Sequence, residues 1–333
     1  MVITECASKT EIDLKCTFNA SAPLIDNKSH IWGIILAGGE GKRLKAYVEQ
    51  IYGYHRPKQY CALTGTRSLI RHTKDRVLRY IPPEHLMTIA NSNHSRYITE
   101  EIENEIPGTL VIQPVPRETT AGILLPLLKV HHSDPDAFVS IFPSDQFISQ
   151  EGLFMDHVEE ANQFVKSNPE MIVMLGIHPE KPESGYGWIE PMNYFSFNSF
   201  PSIRKVRRFW EKPDTKKLQQ LWKHGCLCNT FVLIGKCSTF INSIKTLAPS
   251  VYSAFNDIRH TIGTPLEGLT IEQTFSFVPE VNFSKNILEN ITDSLCVQQV
   301  NGVYWSDWGE ENRVRTDIQK LKTTKESEII AWY

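Results

Sequence analysis

A chain of 333 residues is long enough to bury a large core, and its length accommodates one α/β domain with excursions or two domains. Its 35 Lys and Arg against 38 Asp and Glu leave a net charge of −3 with no long basic run, which excludes a general electrostatic footprint for nucleic acid or an acidic membrane surface. Scattered cysteines at 6, 16, 61, 226, 228, 237 and 296, no apolar leader in MVITECASKTEIDLKCTF and no run of about eighteen apolar residues point to buried thiols in a cytoplasmic protein without a membrane span.

Residues 1–30 are polar and weakly periodic and read as an N-terminal extension. From 31 onward strand-like and helix-like runs alternate. IWGIIL (31–36) has the apolar, β-branched character of a buried parallel strand. A helix is predicted near 67–80, a strand at LMTIA (86–90), a helix near 93–105, a strand at TLVIQ (109–113), a helix near 119–132 and a strand at AFVSIF (137–142). A helix near 151–167 and the strand MIVMLGIH (171–178) extend the series. Strand, helix, strand at this spacing implies right-handed crossovers and a mostly parallel sheet. After 180, GYGWIEP, SIRKVRRFWEKP and CNTFVLIG mix apolar and polar residues between Gly, Pro and Asn, the texture of antiparallel or twisted strands among helices. The stretch from about 310 reads as a helix with a solvated face, and no fixed-period repeat is present.

Candidate chemistry sits where predicted strands end. After the first strand, Leu36 and Ala37 lead into Gly38, Gly39 and Gly41, small residues that let a backbone turn sharply and bring N–H groups close to an anion. Arg43 adds a forked cation, and Lys58, in RPKQY, a mobile point charge fifteen residues later. The spacing is neither a dinucleotide fingerprint, which needs a third glycine at Leu44, nor a Walker A loop, which needs Gly at Leu36 and Ser or Thr at Arg43. QPVPRETTAG (113–122) follows a strand and opens a helix that Thr119 or Thr120 can cap, with Arg117 beside its positive end. Asp145, in FPSDQFI, falls just past a strand's carboxyl end, as a turn residue or as a metal or ribose ligand. Asp307, in YWSDWGEE, lies between two tryptophans that would exclude water. Two aspartates over a triphosphate would match Mg²⁺, which takes one or two carboxylates plus phosphate oxygens. In FWEKPD, Glu211 and Lys212 point to opposite faces unless the strand ends there.

In this order, LAGGEGKR, RPKQY, QPVPRETTAG, FPSDQFI, GYGWIEP, FWEKPD, CNTFVLIG and WSDWG resemble the sugar-phosphate nucleotidyltransferases, most closely the mannose-1-phosphate guanylyltransferases, over about 31–315. The resemblance implies an α/β, nucleotidyltransferase or GT-A-like fold with a Rossmann-like mixed, mostly parallel sheet flanked by helices. One domain, 31–333, would hold a nucleotide half at about 31–180 and a sugar-phosphate half at about 181–320. Leu36, Ala37 and the backbone of Gly38, Gly39 and Gly41 would cradle the triphosphate. Arg43 and Lys58 would be catalytic, Lys58 near the α-phosphate. Gln113, Arg117 and Thr119 would lie on the base and ribose side. Asp145 and Asp307 would hold Mg²⁺, Lys212 would pair with the sugar phosphate, and Gly187, Glu211 and Asn229 would line the sugar pocket. The partners implied are GTP and a sugar 1-phosphate, with a homodimer as the assembly. The reaction implied is attack of mannose 1-phosphate on the α-phosphorus of GTP, giving GDP-mannose and pyrophosphate.

The chain also departs from the family's pattern. The spacer LKAYVEQIYGYHR after Arg43 is long and has Ala46 where a proline is usual. Trp-Asn-Ser-Gly becomes Cys228-Asn229-Thr230-Phe231, which puts a ring where a glycine lies beside the sugar. Ser-Ile-Asp-Tyr-Ala becomes Asn282-Phe283-Ser284-Lys285-Asn286, while Glu289 is kept. With about 20 residues after the last motif, the chain is expected to lack the phosphomannose isomerase domain of some relatives. The competing expectations are another nucleotide and sugar 1-phosphate pair, or an inactive nucleotide-sugar-binding paralogue.

Overall fold

The computed structural model describes residues 29–103, 108–197 and 199–323. All of the N-terminal extension except Ser29 and His30 lies outside the described residues, as do Cys6 and Cys16. The strands are β1 (Ile31–Ala37), β2 (Leu86–Asn91), β3 (Thr109–Gln113), β4 (Phe138–Pro143), β5 (Phe147–Ile148), β6 (Ile172–Ile177), β7 (Gly187–Phe197), β8 (Phe200–Glu211), β9 (Leu227–Lys236), β10 (Leu295–Val300) and β11 (Trp305–Ser306). The helices are α1 (Lys45–Tyr52), α2 (Leu69–Val77), α3 (Ser95–Ile98), α4 (Glu118–Ser133), α5 (Glu151–Ser167) and α6 (Thr215–Lys223) in the first two thirds. They continue as α7 (Cys237–Leu247), α8 (Pro249–Ala254), α9 (Asn256–Thr261), α10 (Glu267–Phe277), α11 (Phe283–Asn286) and α12 (Glu311–Thr323).

Among the described residues one sheet of nine strands runs β3-β2-β1-β4-β9-β6-β10-β8-β7, and β5 pairs with β11 apart from it. The pairs β3/β2, β2/β1, β1/β4 and β6/β10 are parallel; β9 is antiparallel to both β4 and β6, and β8 to β10 and β7. Only β8 and β9 therefore oppose the common direction, so the sheet is mixed and mostly parallel, as the sequence predicts. β7 also pairs with the start of β9, Trp188 against Cys228 and Ile189 against Leu227, which closes β9, β6, β10, β8 and β7 into a ring. That closure brings the start of the β7/β8 hairpin against the carboxyl ends of the parallel strands, where ligands of such sheets bind.

The sheet is central because its strands are apolar on both faces. Trp32 and Ile34 of β1, Val139 and Ile141 of β4 and Ile172 and Met174 of β6 join one buried cluster with α4 and α7. Their alternate neighbours Ile31, Ile35, Phe142, Val173 and Leu175 join another with α5. Period-two alternation thus feeds two layers, each fully buried large side chain contributing about 1.5–3 kcal/mol. The five described cysteines are buried and free, and burial pushes the Cys226 and Cys296 thiols up to about 11. Helix α2 is buried nearly all round, and within it Lys74 is 2% exposed with no hydrogen-bond partner for Nζ, so burial lowers its pKa to about 7.

Most strand predictions match within a residue or two, and helix α5 occupies the predicted span. The helix predicted near 93–105 is present over the described residues as a tight 3-10 turn (Ser92–His94), α3 and a wider helical turn (Thr99–Glu103), where Glu100 and Glu101 meet Arg56 at 3.2 and 2.6 Å and Glu101 meets Arg71 at 2.8 Å. Helix α4 starts at Glu118, ahead of the caps predicted at Thr119 or Thr120, and has no side-chain cap. Among the described residues no helix is long and apolar enough to cross a membrane.

Candidate functional site

The glycine loop leaves the carboxyl end of β1, and its carbonyls are held by amide side chains. Gln59 Nε2 donates to the carbonyls of Ala37 at 2.9 Å and Gly39 at 2.8 Å, and Asn91 Nδ2 donates to that of Gly38. In a trans peptide the N–H points opposite its carbonyl. The N–H groups of Gly38, Gly39 and Glu40 therefore each point away from the amide that holds the carbonyl of their own peptide, and successive backbone N–H groups of this kind are candidate donors to an anion. A Cβ at Gly38 would lie 2.6 Å from Gln113 Nε2, so any larger residue would displace that side chain. Gly41 adopts φ 61° and lies so close to Lys58 that its Cβ would be 2.9 Å from that residue's backbone nitrogen. Beside Gly39 a Cβ would meet nothing within 4 Å.

Lys58, Asp145, Asp307 and Arg43 converge next to this loop. The Lys58 ammonium, 7% exposed, lies 3.0 Å from Asp145 Oδ2 and also donates to the backbone carbonyl of Asp307. Asp145 follows β4 directly, and Ser144 fixes that corner by donating to the carbonyl of Leu36 at 2.7 Å. Asp307 Oδ2 faces the exposed Arg43 guanidinium at 3.8 Å, whereas Oδ1 accepts from Arg313, from the Tyr186 hydroxyl at 3.1 Å and from the Gly309 N–H at 3.0 Å. Burial, with the Asp307 carboxylate second, holds the Tyr186 phenol far above its ordinary pKa, so it stays a donor. Among the described residues no three His, Cys, Asp or Glu side chains form a metal site by themselves. Lys58 thus joins the Asp145 carboxylate to the Asp307 backbone, and the two aspartate carboxylates are hard oxygen donors of the kind that Mg²⁺ takes alongside phosphate oxygens.

The hairpin residues connect to Asp307 through Tyr186, which precedes Gly187. Strand β8 ends at Glu211, and Lys212 turns with φ 49° as its N–H donates to the carbonyl of Tyr186 at 3.2 Å. The strand end lets the adjacent Glu211 and Lys212 approach each other, 3.2 Å apart. Gly187 is opposite Glu211 in the β7/β8 register, and a Cβ there would meet Phe209 at 2.7 Å and Glu211 Oε2 at 3.1 Å. Asn229 pairs with Gly176, its Oδ1 accepts from the Phe231 N–H at 2.9 Å, and Gln146 bonds the carbonyl of Thr230 at 2.7 Å, linking this strand to the Asp145 corner.

Two expected residues turn elsewhere. Arg117 donates to the carbonyls of Phe275 at 2.8 Å and Ser276 at 2.7 Å, capping the carboxyl end of α10. Thr119 Oγ1 accepts from the Phe283 N–H at 2.7 Å, and the Thr120 N–H goes to the carbonyl of Val281 at 3.1 Å, so the start of α4 anchors the 281–283 segment. Gln113 lies with the glycine loop, donating to Asn91 Oδ1 while its own Oε1 is buried without a partner. Sequence reasoning missed Gln59, Asn91, Tyr186 and Arg313. Gln59 and Tyr186 lie inside the motifs RPKQY and GYGWIEP, whereas Arg313, six residues past Asp307 at the start of α12, carries no local signal. A cavity of about 360 Å³ lies behind Asp307, lined by Tyr186, Ser306, Arg313 and Lys320; neither the glycine loop nor Asp145 borders it.

Residues 32–322 match the family model described as nucleotidyl transferase. The chain belongs to that family. It is 24% identical over 292 residues to the mannose-1-phosphate guanylyltransferase ManC of Salmonella typhimurium, a match covering 86% of this chain and 59% of that protein. To the mannose-1-phosphate guanylyltransferase of Escherichia coli K12 it is 25% identical over 288 residues, 85% of this chain and 58% of the other. The chain therefore spans about three fifths of the length of these curated relatives. Among solved structures, the "mannose-1-phosphate geranyltransferase" of Thermus thermophilus superposes with a TM-score of 0.72 at 18% identity, covering 86% of this chain and 79% of that one. At that identity the likeness establishes the fold, a nucleotidyltransferase-type mixed sheet flanked by helices.

Proposed function

We propose that this chain transfers GMP from GTP to mannose 1-phosphate, releasing GDP-mannose and pyrophosphate. The reading rests most on one observation: Lys58 bridges Asp145 and the Asp307 backbone directly beside the glycine loop, whose carbonyls are held by Gln59 and Asn91. An oxygen of the sugar 1-phosphate attacks the α-phosphorus in line, the new O–P bond forms, and the bond to the pyrophosphate oxygen breaks. The nucleophile is already anionic near neutral pH, so no general base is required. Catalysis then consists of positioning and charge neutralisation, of which proximity can supply about 7–11 kcal/mol. The loop N–H groups and Arg43 hold the triphosphate, Lys58 offsets charge at the α-phosphate, and Lys212 binds the incoming sugar phosphate beside Gly187, Glu211 and Asn229. Asp145 and Asp307 would hold Mg²⁺, which when bound supplies further neutralisation of phosphate charge. Gln113 belongs to the floor under the loop; Arg117 and Thr119 act on the nucleotide side through the segments they anchor.

One observation favours a second reading, the same chemistry on a different sugar 1-phosphate. Phe231, beside Asn229, is held at φ 60°, so a partly buried ring occupies a backbone conformation that suits glycine. Pyrophosphate release from four nucleoside triphosphates against a panel of sugar 1-phosphates separates the readings. Turnover greatest with GTP and mannose 1-phosphate is the expected result; a different preferred pair supports the second reading, and no turnover with any pair overturns both.

A further inference from the structure

We propose that Arg313 is a positioning residue that decides which oxygen of Asp307 is offered to a divalent cation; the inference rests on reading Asp307 as a cation ligand. A carboxylate oxygen carries two lone pairs, and Oδ1 of Asp307 already meets three donors, the Arg313 guanidinium, the Tyr186 hydroxyl and the Gly309 N–H. Oδ2 meets only the longer Arg43 contact at 3.8 Å. The space next to Oδ2 is kept clear by the backbone, because a Cβ on Gly309 would lie 2.6 Å from Oδ2 and 2.8 Å from Arg43 Nη2.

Arg313 is itself immobilised. Its Nη2 donates to Glu183 at 2.6 Å, its Nη1 to the Tyr186 hydroxyl at 2.6 Å, and its guanidinium carbon lies 4.8 Å from the centre of the Tyr186 ring. Burial alone would lower its pKa, but Asp307, Tyr186 and Glu183 together raise it. A planar fork with this many fixed partners holds a carboxylate in one rotation, which a lysine cannot do. The neighbouring residue is held from the same helix: Trp308 donates to Asp317 Oδ2 at 2.9 Å and stacks on Phe147. Helix α12 thus grips both Asp307 and Trp308, so a carboxylate that would otherwise rotate, or take a cation with both oxygens, presents Oδ2 alone to the cleft.

Residues that orient a metal ligand from behind cost about ten- to a hundredfold in metal affinity when changed. The test is Mn²⁺ binding to the full chain with GTP, followed by the loss of the free Mn²⁺ electron paramagnetic resonance signal, for Asp307→Asn, Arg313→Gln, Arg313→Lys and Tyr186→Phe. Both Arg313 variants are expected to weaken Mn²⁺ about ten- to a hundredfold, and Tyr186→Phe less. The metal concentration for half-maximal turnover should rise in step while KM for the sugar phosphate stays unchanged, a split that general loosening of the fold would not produce. Loss of Mn²⁺ in Asp307→Asn with wild-type binding in Arg313→Gln overturns the positioning role and leaves the ligand intact. Wild-type Mn²⁺ binding in Asp307→Asn overturns the ligand. If Arg313→Gln fails to fold, wild-type affinity in both Arg313→Lys and Tyr186→Phe overturns the proposal.

Discussion

Gly39→Ala separates holding phosphate from holding the fold. A methyl group at Gly39 meets no heavy atom within 4 Å, and the backbone there lies outside the left-handed region, so the folded chain accepts alanine without strain. Alanine also restricts the unfolded chain, which contributes about 0.4–1 kcal/mol in favour of the fold. A change of that size moves Tm of a large domain by no more than about 2–4 °C. On the proposed reading that open space is where the N–H groups of Gly39 and Glu40 meet phosphate. If a triphosphate lies there, the methyl displaces it from at least one hydrogen bond to a charged group, about 1.5–3 kcal/mol. At about 1.4 kcal/mol per decade, Kd for GTP rises about tenfold to somewhat over a hundredfold. Calorimetric titration with GTP and Mg²⁺, beside a thermal melt of the same preparation, measures both quantities. Wild-type Kd in Gly39→Ala would refute a phosphate against this loop, and a Tm falling in proportion to the lost affinity would refute the separation of roles.

Gly41→Ala should behave in the opposite way: left-handed strain of about 1–2 kcal/mol adds to about 1–3 kcal/mol of overpacking against the Lys58 backbone, so Tm and turnover fall together, and an unchanged Tm would show that the loop gives way freely. Lys74→Met should raise Tm at pH 7. The folded pKa of Lys74 is about 7 against an ordinary 10.5, so between these values the unfolded chain binds more protons and wild-type stability climbs with pH. The gain from methionine should therefore shrink from pH 7 towards pH 10, and a pH-independent gain contradicts the buried neutral amine. Phe231→Gly relieves about 1–2 kcal/mol of left-handed strain at the expense of a partly buried ring, so stability changes little while the range of sugar 1-phosphates accepted widens. An unchanged sugar profile counts against placing residues 229–231 at the sugar.

The parts legible in the sequence are those dictated by local physics. β1 and β4 read as central strands because a strand covered on both faces must be a continuous apolar run, and the residues just after such a run fall at the carboxyl edge. That is why the glycine loop and Asp145 were readable. Arg117 was recognisable as a cation at a helix start, but its guanidinium is drawn to carbonyls 158 and 159 residues away, a choice no local pattern records. The Tyr186 and Arg313 pair, 127 residues apart, is hidden for the same reason. The helical periodicity near 93–105 was legible, but the widening of its last described turn, where Glu100 and Glu101 meet Arg56 and Arg71 from other segments, was not.

Backbone strain marks the site independently of any motif. Among the described residues four non-glycine residues have positive φ: Glu118, Lys212, Phe231 and Trp308, and each is, adjoins or closely follows a residue expected at the site. Such conformations cost about 1–3 kcal/mol each and persist only where neighbours over-determine them. The neighbours are visible: Asn282 at the Glu118 carboxylate, the Tyr186 carbonyl at the Lys212 N–H, Asn229 at the Phe231 N–H, and Asp317 with Phe147 at the Trp308 ring. Tyr186 alone serves two of these places, holding Lys212 through its carbonyl and Asp307 through its hydroxyl. The two contacts use different parts of the residue, so removing the hydroxyl frees Asp307 while the backbone carbonyl still holds Lys212.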